Sequence, residues 1–94
     1  MRRLAAEIAS SLADQSDWIL CHLDVDAIDP TIMPAVNFPA PAGLRLEDIH
    51  DVVRALAGTG KLKVFNLASY NPSLDRDGES NRVIMDLIAN LQFQ

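Results

Sequence analysis

Apolar residues along this chain follow two rhythms. Leu4, Ile8 and Leu12 recur every four residues with Ala5 and Ala9 beside them, which predicts an amphipathic helix from about Arg3 to Asp14. Gln15-Ser16-Asp17 breaks it. Trp18 to Leu23 is then almost continuously apolar, the pattern of a strand covered on both faces. Alternation along that strand places Ile19, Cys21, Leu23 and Val25 on one side and Leu20, His22, Asp24 and Asp26 on the other. From Asp29 to Leu44 no rhythm survives. Pro30, Pro34, Pro39 and Pro41 fix φ and remove backbone donors, so a long loop is predicted. Loops of this length inside compact domains usually carry function, and this one leaves directly after the carboxylates, where it can wall a site.

Leu46, Ile49, Val53 and Leu56 define a second helical face, with Glu47 and Asp48 in the first turn, where the helix dipole favours negative charge. Gly58 and Gly60 end it. Lys61 to Ala68 predicts a second strand, and Ser69 to Ser80 a polar loop with Asn71-Pro72 and an Asp75-Arg76-Asp77-Gly78 turn. Glu79 to Leu91 predicts a final helix with Val83, Ile84, Leu87, Ile88 and Leu91 on its apolar side.

The order helix-strand-helix-strand-helix implies an α/β fold with a parallel sheet and right-handed crossovers, in one domain over 1–94. In open sheets of this kind the site lies beyond the carboxyl ends of the strands. Both conspicuous loops leave from those ends. Two strands are too few for a stable sheet covered on both faces, so further polypeptide or another copy of the chain is expected along its edges.

Composition narrows the partners. The chain has 94 residues and a net charge of −5, which argues against a nucleic-acid backbone as ligand. No apolar run approaches the roughly 18 residues of a membrane span, and the start lacks the features of a secretion signal. A single cysteine, Cys21, allows no internal disulfide and fits a reducing, cytoplasmic compartment.

The candidate chemistry centres on His22-Leu23-Asp24-Val25-Asp26-Ala27-Ile28-Asp29-Pro30. Asp24 and Asp26, two residues apart on an extended chain, leave from one face and make a seat for a hard divalent cation or a charged catalytic pair. Capping of loop amides is the structural alternative. His22 shares their face and is expected to support a ligand through a hydrogen bond rather than bind an ion. Asp29, ahead of Pro30, either serves the same neighbourhood or bonds nearby backbone amides in the turn. Asn66 and Ser69, with Tyr70 and Asn71, stand at the end of the second strand and either present donors and acceptors to a small polar ligand or shape the turn. Cys21 and His50 are expected to pack, and Arg45 to be solvated at the start of the second helix.

At this point the residues resemble a known family. Leu23-Asp24-Val25-Asp26-Ala27-Ile28-Asp29-Pro30, then Met33-Pro34-Ala35-Val36, then Pro41-Ala42-Gly43-Leu44, and later Tyr70-Asn71-Pro72-Ser73-Leu74-Asp75-Arg76-Asp77-Gly78, resemble the second half of the ureohydrolases: the arginases, agmatinases and formimidoylglutamases. The likeness runs from about Arg3 to Leu91 and looks most like the bacterial arginase-like branch. It implies a partial three-layer α/β/α parallel sheet, a pair of Mn²⁺ ions and hydrolysis of a guanidino-type carbon–nitrogen bond in a small substrate. By position Asp24 and Asp26 match the late metal-binding aspartates of the family, Asp24 as the bridging ligand, and Asn66 and Ser69 fall where substrate is held.

Departures follow from the same likeness. The glycine-glycine-aspartate-histidine and aspartate-x-histidine-x-aspartate segments that complete the metal site have no counterpart here. Ser69 stands where arginases carry a substrate-binding glutamate, Asn66 where an acidic residue often stands, and Ala42-Gly43 where a glycine pair is usual. The expectation is therefore the carboxyl-terminal portion of a Mn²⁺-dependent ureohydrolase, weakly active or inactive alone, forming a homo-oligomer or joining the missing amino-terminal half. Two other readings compete. A strand followed by aspartate-x-aspartate also opens the haloacid-dehalogenase-type phosphatases, although Ala27-Ile28-Asp29-Pro30 departs from their usual continuation. A non-catalytic fragment acting through exposed sheet edges is the third.

Overall fold

A computed structural model describes residues 1–91. Helix α1 (Arg2–Gln15) leads into strand β1 (Ile19–Asp24), then a 3-10 turn at Val25–Ala27, helix α2 (Leu46–Gly58), strand β2 (Leu62–Ala68), a second 3-10 turn at Pro72–Leu74, and helix α3 (Glu79–Ala89). β1 and β2 pair in parallel, with His22 opposite Asn66 and Asp24 opposite Ala68. The predicted element order and parallel α/β arrangement are observed. No helix of the described residues is long and apolar enough to cross a membrane.

Side chains at the helix ends differ in how they satisfy the backbone. Lys61 Nζ donates to the carbonyls of Ala13 and of Ser16, the latter at 2.8 Å, and so satisfies oxygens at the end of α1 just before β1 begins. Arg45 opens α2 with no side-chain cap; its guanidinium lies exposed against Glu47 at 2.8 Å and Asp48 at 3.5 Å. His50 is half-buried, with Nε2 3.6 Å from the Asp86 carboxylate of α3.

Two apolar clusters hold the helices to one face of the sheet. One joins Val25, Ile28, Met33 and Val36 to Ile49, Val53, Ile84 and Leu87, with Leu23, Phe65 and Leu67 packed against it. The other joins Ala9 to Ile19, Leu56, Ala57 and Leu62, with Cys21 against it. Three expectations change here. The strand is not covered on both faces within this chain: Ile19 is buried but Leu20 is 63 % exposed, and Val64 beside it 47 %. In α1 the small Ala5 and Ala9 are buried, while Leu4, Ile8 and Leu12 face outward, because only a methyl-sized side chain fits where α1 lies against its neighbours. In α3 the buried positions are Ser80, Ile84 and Leu87; Ile88 is exposed, and the helix ends at Ala89.

The proline-bearing loop is stitched into the core rather than draped over it. Met33, Ala35 and Val36 are buried. The Asn71 amide donates to the Ala35 carbonyl at 2.9 Å, Val36 bridges to Tyr70, and the buried Ser80 hydroxyl accepts from the Ala35 amide at 3.2 Å. At its far end the loop returns to the carboxylate segment, where Leu44 N donates to the Ala27 carbonyl at 2.8 Å and Asp29 N donates to the Leu44 carbonyl at 3.0 Å. That approach needs glycine: a β-carbon on Gly43 would stand 2.6 Å from the Ala27 carbonyl oxygen and 2.8 Å from the Asp29 nitrogen. The preceding residue, Ala42, holds φ at 56°, a left-handed conformation that costs an alanine about 1–2 kcal/mol.

Asp75 locks the other loop. Its carboxylate accepts from Tyr70 OH at 2.7 Å and from the first amides of α3, Ser80 at 3.2 Å and Asn81 at 3.0 Å. It thereby supplies the cap that Gly78 cannot. The Tyr70 hydroxyl, with the Asn81 and Ser80 amides, leaves Asp75 with a lowered pKa against the opposing effect of burial.

Two outcomes test this framework in urea titrations. Ala42→Gly relieves the left-handed strain but frees the unfolded chain, so it raises stability by up to about 1 kcal/mol, whereas Gly43→Ala lowers it by about 1–3 kcal/mol. Asp75 has a depressed pKa in the folded state, so its contribution is complete above the unfolded carboxylate value of about 3.9 and is lost as pH falls through the lower folded one. The stability gap between the parent and Asp75→Asn is therefore constant above about pH 4 and closes below it; a gap independent of pH contradicts the assignment.

Candidate metal centre

β1 ends where its backbone stops alternating. Asp24 is the last strand residue and caps the 3-10 turn that follows, its Oδ1 accepting from the Asp26 amide at 3.3 Å. Asp26 therefore sits inside a turn, not on an extended strand as alternation placed it. The two carboxyls still converge, because a tight turn brings a residue two positions on back beside the capping side chain. Val25, between them, is fully buried and anchors the turn in the core.

The electrostatics record that convergence. Asp24 is held below the usual carboxylate range first by a hydrogen bond from the Ser69 hydroxyl, then by one from the Asp26 carboxyl, with a weaker pull from His22. Asp26 is pushed up, first by its hydrogen bond to Asp24, then by burial and by the Asp24 charge. The pair is thus coupled, with Asp24 biased toward its charged form and Asp26 toward its neutral one. Among the described residues, ion pairs join Arg2 to Asp51 and Arg45 to Glu47 and Asp48, and His50 approaches Asp86.

β2 brings Ser69 to this pair. Asp24 is opposite Ala68 in the sheet, so the next residue of β2's exit stands beside the carboxyls. Ser69 holds φ at 77°, an unusual conformation for a residue with a β-carbon, and strain of this kind gathers at functional sites. Its hydroxyl is engaged by Asp24. Asn66 faces His22 across the sheet, Nδ2 to Nδ1 at 3.0 Å, with both side chains exposed. Two residues marked from the sequence for substrate, Asn66 and Ser69, are thus engaged by His22 and Asp24.

Asp29 is not part of the cluster. Its Oδ1 accepts from the Thr31 amide at 2.9 Å and the Thr31 hydroxyl at 2.7 Å, which holds the turn at Pro30 and lowers its pKa. This is the turn-bonding role open to it from the sequence. Cys21 packs on the opposite side of β1, where burial pushes its thiol up and away from nucleophilic character. Asn71 fixes its own turn through Ser73 N at 3.0 Å and reaches Asn37 in the long loop at 2.8 Å.

Two converging carboxyl groups mark a place that favours added positive charge, and oxygen donors suit a hard cation such as Mn²⁺ or Mg²⁺. Among the described residues no group of three or more histidine, cysteine, aspartate or glutamate side chains is placed to hold a metal ion. The donors fit part of such an ion's shell and do not complete it.

Known proteins similar to this chain include arginases and formimidoylglutamases. The sequence model of the Arginase family matches residues 1–93. The chain is 38 % identical over 81 residues to a formimidoylglutamase of Aeromonas salmonicida, covering 86 % of this chain and 26 % of that protein. It is 39 % identical over 69 residues to an arginase of Agrobacterium fabrum, covering 73 % and 21 %. The structure superposes on an arginase from Bacillus caldovelox with a TM-score of 0.85 at 27 % identity, over 95 % of this chain and 30 % of that one. The chain spans about a quarter of the length of the curated relatives it matches. With the paired aspartates at the end of β1 and the parallel α/β framework that carries them, the chain belongs to the Arginase family and forms part of a ureohydrolase fold.

Proposed function

We propose that this chain supplies the Asp24 and Asp26 portion of a Mn²⁺ site that hydrolyses a guanidino-type carbon–nitrogen bond in a small substrate. The observation that carries the reading is the convergence of Asp24 and Asp26 at the carboxyl end of β1, where the Asp26 amide donates to Asp24 Oδ1 at 3.3 Å, in a member of the Arginase family. A metal held there would supply activation of water for hydrolysis of the substrate. Asp24 and Asp26 hold the ion, Asp24 as the ligand better placed to stay ionised because Ser69 donates to it. Asn66 keeps His22 oriented beside them. Family membership favours this reading of Asp24-Val25-Asp26 over the phosphatase one.

Two carboxylates do not fill the shell of a six-coordinate ion, still less of two. The remaining ligands come from polypeptide beyond these 94 residues. The chain by itself therefore binds Mn²⁺ only weakly and releases urea from arginine or agmatine at no more than a trace rate. Ser69 and Asn66 bring no negative charge to a cationic substrate head, so the counter-charge for a guanidinium also comes from elsewhere.

The test is Mn²⁺ binding followed by electron paramagnetic resonance of the free ion. Asp24→Asn and Asp26→Asn each weaken binding on the order of tenfold or more, since even loss of a ligand's supporting partner costs ten- to a hundred-fold. Asp29→Asn leaves it unchanged, because that carboxylate is spent on Thr31. Equal binding by the parent and Asp24→Asn contradicts the proposal, as does steady urea release by the chain alone at enzymatic rates.

A further inference from the structure

Ser69 joins two pieces of backbone that are fixed independently of each other. On one side, β2 is held in the sheet as far as Ala68, opposite Asp24. On the other, Tyr70 and Asn71 belong to a closed ring of hydrogen bonds. The Tyr70 hydroxyl donates to Asp75 at 2.7 Å, and Asp75 accepts from the Ser80 amide at 3.2 Å. The Ser80 hydroxyl accepts from the Ala35 amide at 3.2 Å, and the Asn71 amide donates to the Ala35 carbonyl at 2.9 Å, which closes the ring. The Tyr70 side chain also packs against the larger apolar cluster, and its backbone bridges to Val36.

A single residue is left to span sheet and ring, and it does so with φ at 77°. Such a conformation persists only where the surroundings over-determine it. Glycine adopts it without a steric penalty, so a serine there keeps a hydroxyl at the expense of strain. The sheet register sets this residue beside Asp24, and a hydrogen bond from its hydroxyl favours the charged carboxylate. We infer that the Tyr70–Asp75 hydrogen bond locks Ser69 in its left-handed conformation, and that Ser69 in turn aims the Asp24 carboxylate at the ion. Tyr70, Asp75 and Ser69 are positioning residues in this scheme. Ser69 then serves a ligand of the metal rather than the substrate. The inference rests on the proposed function for the ion and adds the residues that orient its ligand.

Ser69→Gly and Tyr70→Phe, singly and combined in the 94-residue chain, test it. Glycine releases the strain and removes the hydroxyl. The urea midpoint therefore stays equal or rises, while Mn²⁺ affinity, read by electron paramagnetic resonance of the free ion, falls on the order of tenfold. Tyr70→Phe keeps the aromatic ring and loses the bond to Asp75. It lowers Mn²⁺ affinity roughly three- to tenfold in the parent, the worth of one hydrogen bond. Beside Ser69→Gly it lowers affinity by less than about twofold, because no hydroxyl remains to be aimed. Asp75→Asn, which weakens the same bond and keeps an acceptor for the α3 amides, gives the same pattern. Equal losses in both backgrounds mark a merely structural role and overturn the inference, as does a Ser69→Gly chain that binds Mn²⁺ like the parent. Carbon-13 NMR of the metal-free chain reads the lock itself. In Tyr70→Phe the Ser69 α- and β-carbon signals move toward extended-backbone values and the Asp24 carboxyl carbon shifts, while that of Asp29 stays in place. Unchanged Ser69 and Asp24 signals overturn the lock. This readout needs no ion, so a failed lock and a parent chain that does not bind Mn²⁺ are told apart.

Discussion

Two carboxyl groups held together at one strand end are the constraint around which this structure is arranged. Asp24 and Asp26 stay together because the backbone turns immediately after β1, and the turn stays tight because Val25 is driven into the core between them. The turn is then clamped from outside. Leu44 exchanges backbone hydrogen bonds with Ala27 and Asp29, at a distance that only the missing side chain of Gly43 allows. Sixteen residues of proline-bearing loop separate those partners, and the loop closes on itself through core residues Met33 and Val36. A local electrostatic arrangement thus depends on a distant glycine.

Much of this was legible in the residues. Periodicity located three helices and two strands because their apolar faces are regular and their breaks are marked by Pro, Gly and short polar runs. The Asp24–Asp26 pair stood out because ionised side chains at the end of an apolar strand need a reason to be there. What misled was geometry that a pattern does not carry. Alternation assumes an extended chain, and Asp26 lies in a turn. Hydrophobicity ranks Leu4, Ile8 and Leu12 above Ala5 and Ala9, yet close helix packing selects the small pair. Ser69 gave no sign of its left-handed backbone, since the usual mark of that conformation is glycine or asparagine. Asp75 was read as part of a turn and proves also to cap α3; an Asp a few residues ahead of a helix that begins at Gly78 was the available signal.

The exposed apolar positions carry a second lesson. A nearly unbroken apolar strand reads as covered on both faces, and that reading describes the environment the residues are suited to rather than the one these 94 residues provide. The covered face, with Cys21, Leu23, Phe65 and Leu67, meets the helices of this chain. The other bears Leu20 and Val64 at one end and the carboxyl pair at the other. The exposed apolar positions are therefore on the same side of the sheet as the strand end that carries the carboxyl pair.

Paramagnetic broadening by Mn²⁺ in amide NMR spectra of the chain tests the central claim most directly. Added in small amounts, the ion first broadens the amides of Asp24, Val25, Asp26 and Ser69, while Asp29, Thr31 and the acidic start of α2 at Glu47 and Asp48 retain their signals. Uniform broadening across all acidic segments, or broadening centred on Glu47 and Asp48, contradicts a metal seat at the end of β1.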